Sequence, residues 1–281
     1  MKQITNKRIN EFKVFLANEE KSCATIEKYT RDVCAFFKWL GKENLCKATV
    51  LNYKSYLIEH YKPASVNSIL SSLNSFFDYN KWYECKVKSL KIQKQIFASK
   101  DRELSREEYE RLIMTAKSIK NERLCMLMQT ICASGIRVSE LQFITKESVY
   151  AGKAVINCKG KFRIILLPEK LCKMLAKYIK KNHILSGPVF VSKSGKPLDR
   201  SNIWSDMKKL CELAGVSKKK VFPHNLRHLF ARTFYSLQKD IVRLADILGH
   251  SSINTTRNYT METVEIHRKQ IEQLNFVYMR A

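Results

Sequence analysis

The chain has 281 residues, enough for two domains when domains cluster near about 100–150 residues. Its 51 Lys and Arg against 26 Asp and Glu give a formal net charge of +25, more than solubility requires, so a polyanionic partner is expected, nucleic acid before an acidic membrane. There is no apolar leader after Met1 and no uncharged apolar run of about 18 residues, so we expect a soluble, cytoplasmic protein with no membrane partner. The nine cysteines are odd in number and contain no CxxC pair, which speaks against a disulfide framework and for free thiols in a reducing compartment.

Residues 1–97 carry 17 basic and 9 acidic side chains, and the remainder 34 and 17, so both parts share the surplus. The first part reads as four short amphipathic helices, with apolar residues recurring at helical spacing. Phe12, Phe15 and Leu16 form one stripe. Ile26, Tyr29, Val33, Phe36, Phe37 and Leu40 form a second, which stops at Gly41. Val50, Tyr53 and Leu57 follow a Thr49 cap. A fourth helix starting at Pro63 puts Val66, Ile69, Leu70, Leu73, Phe76 and Phe77 on one face and leaves Asn67, Ser68, Ser71, Ser72, Asn74 and Ser75 elsewhere. Such short donors suit close approach to a phosphate backbone, and Asn67 and Ser71, with the basic Lys28 and Arg31, are the expected DNA contacts here. Because the helical pattern starts almost at residue 1, no separate arm-binding domain is expected before it.

From Lys86 to Arg102 the periodicity dissolves, and Ser105-Arg-Glu-Glu108 then forms a capping box, so a domain boundary is placed near residue 98, dividing 1–97 from 98–281. Leu112, Ile113, Leu124, Met126, Leu127 and Ile131 continue a helical pattern. Residues 154–158 and 162–167 read as two strands of a hairpin around Lys159-Gly160-Lys161, with a third short strand at 188–191. Helices are expected over 202–214, 225–237, 241–248 and 263–274. The fold class is therefore mainly α with a small antiparallel β-sheet.

Three local sequences carry chemistry: Ala133-Ser-Gly-Ile-Arg137-Val-Ser-Glu140-Leu141, Pro223-His224-Asn-Leu-Arg227-His228, and Leu248-Gly-His250 followed nine residues later by Tyr259. On a helix, His224 and Arg227 project from one face and can converge on one anion. HxxR alone is short enough to arise by chance, and a lone histidine is more often a satisfied core group. The six histidines show no HExxH or paired Cys/His spacing, and no Asp/Glu cluster suggests Mg²⁺, so neither a metal nor another cofactor is expected.

Taken in order, Arg137 after a glycine turn, a lysine-bearing hairpin, HxxR, LGH and then Tyr259, the chain resembles tyrosine recombinases and integrases of the Xer and mobile-element type. Ser22-Cys-Ala-Thr25 through Tyr29, Asp32, Phe36 and Trp39-Leu40 is similar to the start of that family's helical core-binding, SAM-like domain. The resemblance implies a two-domain clamp on DNA, with residues 1–97 binding DNA and 98–281 catalytic. It makes Arg137 and Arg227 the paired arginines, Lys159 the hairpin lysine, His224 and His250 the histidines, and Tyr259 the nucleophile. Ser134 stands where many members have Thr, and Lys161 lies close enough to Lys159 to compete for its role or to contact DNA. Glu140 is expected to orient Arg137, and His228 to be structural.

The residue types fit the reaction. Attack on a phosphodiester builds charge on the non-bridging oxygens, where two planar guanidinium forks act without a metal. The tyrosine must lose a proton, and the leaving 5′-oxygen must gain one, with His224 and Lys159 as candidate base and acid and His250 donating to the phosphate. The phosphotyrosine keeps the bond energy, so no ATP is needed. The expected activity is site-specific recombination of double-stranded DNA by dimers or tetramers, with accessory DNA-bending or directionality proteins as further partners. Type IB topoisomerase-like relaxation, or binding by a non-catalytic basic protein, are the alternatives.

Overall fold

The computed structural model describes residues 3–92, 102–158, 161–192, 194–257, 259, 268, 272 and 273. The chain divides into two compact units, residues 1–94 and 95–281.

The first unit contains α1 (Asn6–Asn18), α2 (Cys23–Leu40), α3 (Lys47–His60) and α4 (Pro63–Tyr79), then a 3-10 turn at Tyr83–Cys85. Local chemistry sets the ends. The Thr5 and Ser22 hydroxyls accept backbone N–H groups of Arg8 and Thr25, and Gly41 ends α2 at φ 58°. α3 begins earlier than a Thr49 cap would allow. Cys46 is the flanking residue, and Thr49 Oγ1, already inside the first turn, accepts the Cys46 N–H at 3.1 Å. The apolar stripes meet in a core where Phe12, Phe36, Phe76 and Phe77 are wholly buried, Phe12 packing edge-to-face on Phe76 at 5.2 Å between ring centres. Each such side chain contributes about 1.5–3 kcal/mol by leaving water.

In the second unit, α5 (Arg106–Ser118) opens on the expected box. Ser105 Oγ accepts the Glu108 N–H at 3.1 Å, and Glu108 Oε2 accepts the Ser105 N–H at 2.8 Å. α6 (Glu122–Ser134) is apolar on most of its circumference and runs through the core. A 3-10 turn (Val138–Phe143), α7 (Lys146–Tyr150) and an antiparallel hairpin follow, β1 (Lys153–Cys158) pairing with β2 (Lys161–Leu166) and Val155 facing Ile164. Ala154, Ile156 and Ile165 turn inward, while Val155, Phe162, Ile164 and Leu166 are exposed.

The chain continues through α8 (Glu169–Lys181), α9 (Arg200–Leu213), α10 (Pro223–Gln238), α11 (Ile241–Leu248) and α12 (Ile253–Arg257). Two sequence expectations change. Residues 188–191 add no ladder strand, since Pro188 and Val191 make only isolated bridges to Thr145 and Pro197, and a proline at both contacts withholds the N–H a ladder needs. α8, which buries Leu171, Leu175, Tyr178 and Ile179, had not been expected. The helix expected over 263–274 falls almost wholly outside the described residues.

Candidate active site

Two glycines shape the backbone around the site. Gly135 ends α6 in the left-handed region at φ 64°, and a β-carbon there would collide with the Phe230 ring. Gly249 ends α11 at φ 62°, and a β-carbon there would run into Cδ of Arg163. Both positions therefore need glycine for conformation and for space.

Beyond Gly135, Arg137 flanks the 3-10 turn and Glu140 sits in its first turn. Glu140 Oε2 accepts the Arg137 backbone N–H at 2.9 Å, and Oε1 accepts Arg137 Nη1 at 2.9 Å. Arg137 Nη2 donates across to Gly249 O at 3.3 Å. The Arg137 side chain keeps 39% exposure while Glu140 keeps 5%, so the guanidinium faces the cleft and the carboxylate lies behind it. Burial pushes the Glu140 carboxyl up, but the Arg137 N–H, the Arg163 charge and the Arg137 side chain outweigh it and hold it below the usual carboxylate range.

Pro223 starts α10 and places His224 in its first turn, with Arg227 one turn on. Arg227 is almost fully buried, its Nη1 donating to Gly135 O at 2.6 Å and its Nη2 to Leu248 O at 2.7 Å. It thus ties the two glycine turns together. Desolvation first, and Arg137 second, lower its pKa to about 10, which leaves it charged at neutral pH, and the Tyr259 phenol beside it favours that charge.

His250 Nε2 lies 3.0 Å from Arg227 Nη2 and Nδ1 lies 2.8 Å from Thr256 Oγ1. Arginine only donates, so Nε2 accepts and Nδ1 carries the proton given to Thr256. Burial and then Arg227 press His250 down to about 4. In this arrangement His250 holds Arg227, and the donation to a phosphate expected from the sequence would require it to exchange a partner. His224 is likewise lowered, by burial and then by Arg227 and Arg137. Burial, then His224, takes His228 to about 3.

Tyr259 closes the cluster. Its N–H donates to Thr256 O at 2.8 Å, and its ring is nearly parallel to His250 (5.7 Å, 12°), edge-on to His228 (4.4 Å) and 6.3 Å from His224. The side chain is 4% exposed. Arg137, Arg227, His224, His250, Glu140 and Tyr259, spread over 122 positions from Arg137 to Tyr259 in the chain, are thus brought to one place. Lys159 lies outside the described residues, and of Lys161 only the backbone, at the start of β2, is described.

The N-terminal contacts divide. Arg31 and Ser71 are exposed. Arg31 also pairs loosely with Asp32 at 3.6 Å, and Lys28 and Asn67, expected at DNA, are more fully engaged by intramolecular partners. Lys28 Nζ donates to Asp32 Oδ2 (2.7 Å), Ser72 Oγ (2.8 Å) and Ser68 O (2.9 Å), which uses all three ammonium protons. Asn67 donates to Leu90 O at 2.9 Å and accepts the Leu90 N–H at 2.7 Å, and Asn74 grips Val87 in the same two-sided way. An Asn on a helix face can match a passing backbone as readily as a phosphate, and residue type alone does not separate the two.

Sequence reasoning missed Arg163 and Thr256. Arg163 had a legible signal, since it sits in β2 at the inward period-2 positions of Ile165 and Leu167, where an arginine needs a partner. Arg200 and Trp204 of α9, also unnamed before, line a cleft with Arg137, His224 and Arg227. Among the described residues no group of three or more His, Cys, Asp or Glu could hold a metal ion, and no helix is long and apolar enough to cross a membrane.

Residues 102–265 match the phage integrase family, and residues 9–84 match the phage integrase N-terminal SAM-like domain. Tyrosine recombinase XerA of Thermococcus kodakarensis is 31% identical over 97% of this chain and 96% of its own length. Tyrosine recombinase XerD of Vibrio cholerae is 26% identical over 86% of each. Among solved structures, XerH bound to difH substrate superposes with a TM-score of 0.71 at 18% identity, covering 99% of this chain and 86% of that one. A lambda integrase dimer bound to a COC′ core site gives 0.72 at 19%, covering 92% and 95%. The family match over residues 102–265 and the full-length Xer relative place the chain among DNA strand-transferring enzymes of the tyrosine class. The chain belongs to the phage integrase family and is a tyrosine recombinase.

Proposed function

We propose that this chain cuts and rejoins double-stranded DNA at a specific site through a 3′-phosphotyrosyl bond to Tyr259, with no metal and no ATP. The observation that carries this reading is the packing of Tyr259 against His250, His228 and Arg227, with Arg137 tied by Gly249 O to the turn that leads to it.

Arg137 and Arg227 bind the non-bridging oxygens and stabilise the charge that grows on them. His224, neutral because burial and the two arginines disfavour a third cation, accepts the phenolic proton. His250 steadies Arg227 and Glu140 steadies Arg137. Lys159 protonates the leaving 5′-oxygen. A free 5′-hydroxyl then attacks the phosphotyrosine and restores the diester, so strand exchange follows when that hydroxyl comes from a second duplex.

Residues 1–97 supply one half of a basic DNA clamp through Arg31 and Ser71, and 98–281 the catalytic half, with Lys161 beside the DNA. Dimers and tetramers on DNA are the working species, as in the lambda integrase tetramer bound to a Holliday junction. The protein works in the cytoplasm, where its substrate DNA lies. With a nicked suicide duplex that traps the cleaved state, wild type is expected to form an SDS-resistant adduct on the 3′-phosphate, and Tyr259→Phe to bind the duplex without one. A persistent adduct in the Phe variant would remove Tyr259 from its role.

A further inference from the structure

Glu140 poses an electrostatic problem. It is a buried carboxylate directly behind Arg137, the more open of the two guanidinium groups in a site for an anion. A lone negative charge there would cancel much of the attraction that Arg137 exerts on a phosphate, because charges in a desolvated site are poorly screened. The carboxylate is still needed, since it holds Arg137 by backbone and side chain together.

Arg163 meets that problem from the opposite side. Its Nη2 donates to Glu140 Oε2, the oxygen that also accepts the Arg137 N–H, and its Nη1 donates to Ile247 O at 3.2 Å. The side chain is 13% exposed, so it lies largely out of water. It spans β2 and the end of α11, and Gly249 leaves the space that its stem occupies.

We propose that Arg163 is a positioning residue that neutralises Glu140, so that the carboxylate orients Arg137 without consuming its charge. With Arg163 present the Arg137–Glu140–Arg163 group keeps one net positive charge facing the cleft, and without it that charge falls to zero. The inference rests on the reading of Arg137 as a phosphate ligand.

The test is single-turnover cleavage of the suicide duplex by wild type, Arg163→Gln, Arg163→Lys, Glu140→Gln and the Glu140→Gln/Arg163→Gln double variant, with DNA affinity and melting temperature measured alongside. Arg163→Gln should slow cleavage by roughly 100-fold, the size of losing one preorganised charge contact at a reacting oxyanion. Arg163→Lys should recover most of that rate. The double variant should cleave at least several-fold faster than Arg163→Gln alone, because the uncompensated carboxylate has gone. A merely structural tie moves the double variant the other way, since it loses two sets of contacts. A double variant as slow as or slower than Arg163→Gln overturns the proposal, as does Arg163→Gln cleaving at the wild-type rate. If Arg163→Gln melts early, Arg163→Lys decides, and a lysine variant that folds, binds DNA and cleaves about 100-fold slowly overturns charge compensation. Failure of the wild type itself to form an adduct would instead sink the functional reading.

Discussion

Arg137 and Arg227 play unequal parts although both are arginines. Arg227 is a buried strut whose forks close on two carbonyls and on His250, while Arg137 is held by Glu140 and presents its face to the cleft. Arg137→Lys keeps the charge but cannot hold Glu140 and reach Gly249 O together, so we expect cleavage to fall by roughly 100-fold with little loss of DNA affinity. Single-turnover rates and anisotropy titrations check this. The histidines make a separate prediction. His228 and His250 sit at about 3 and about 4 in the fold against 6.5 as the ordinary value, so the unfolded chain binds more protons between those limits. Their contribution to stability is complete above pH 6.5 and is lost as the pH falls through 4 towards 3. Thermal melts of wild type should drop across that window, and His228→Gln should flatten the drop.

At the scale of elements, the site depends on turns more than on helices. Gly249→Ala puts a side chain at φ 62° against the Arg163 stem, and we expect it to cost about 1–3 kcal/mol and to displace His250. Chemical denaturation and the cleavage rate read the two effects. On α4, Asn67→Ala removes two hydrogen bonds to Leu90 and should cost about 1 kcal/mol while exposing residues 86–90 to protease, with DNA affinity unchanged.

Much of this organisation was legible because it is local. The four N-terminal helices followed from period and caps and the hairpin from alternation, while the three candidate catalytic sequences were weak singly and gained their proposed roles from their order and their resemblance to tyrosine recombinases. What stayed hidden was partnership at a distance. Lys28 meets Ser72 44 positions away, Asn67 meets Leu90 23 away, and Arg163 meets Glu140 23 away. Periodicity reports which face a residue occupies and is silent about what lies opposite. α8 is a different case, since Leu171, Leu175, Tyr178 and Ile179 recur at i, i+4, i+7 and i+8 opposite Lys170, Lys173, Lys177 and Lys180, a helical period that was legible in the sequence.

For the whole molecule, the net charge of +25 sets how DNA is found and gripped. Each phosphate neutralised adds about −0.9 to the slope of log affinity against log salt, so a steep negative slope is expected for specific and nonspecific duplexes alike. A flat response would remove the basic clamp. The basic surplus accounts for attraction and the proposed site around Tyr259 for chemistry, and a covalent bond separates the second from the first. The most direct measurement is tandem mass spectrometry of the peptide–nucleotide adduct from a trapped suicide complex. The phosphonucleotide should sit on Tyr259, joined through the DNA 3′-phosphate. Its appearance on Tyr235, Tyr278 or any other side chain, or on a 5′-phosphate, would contradict the assignment of Tyr259 as the nucleophile.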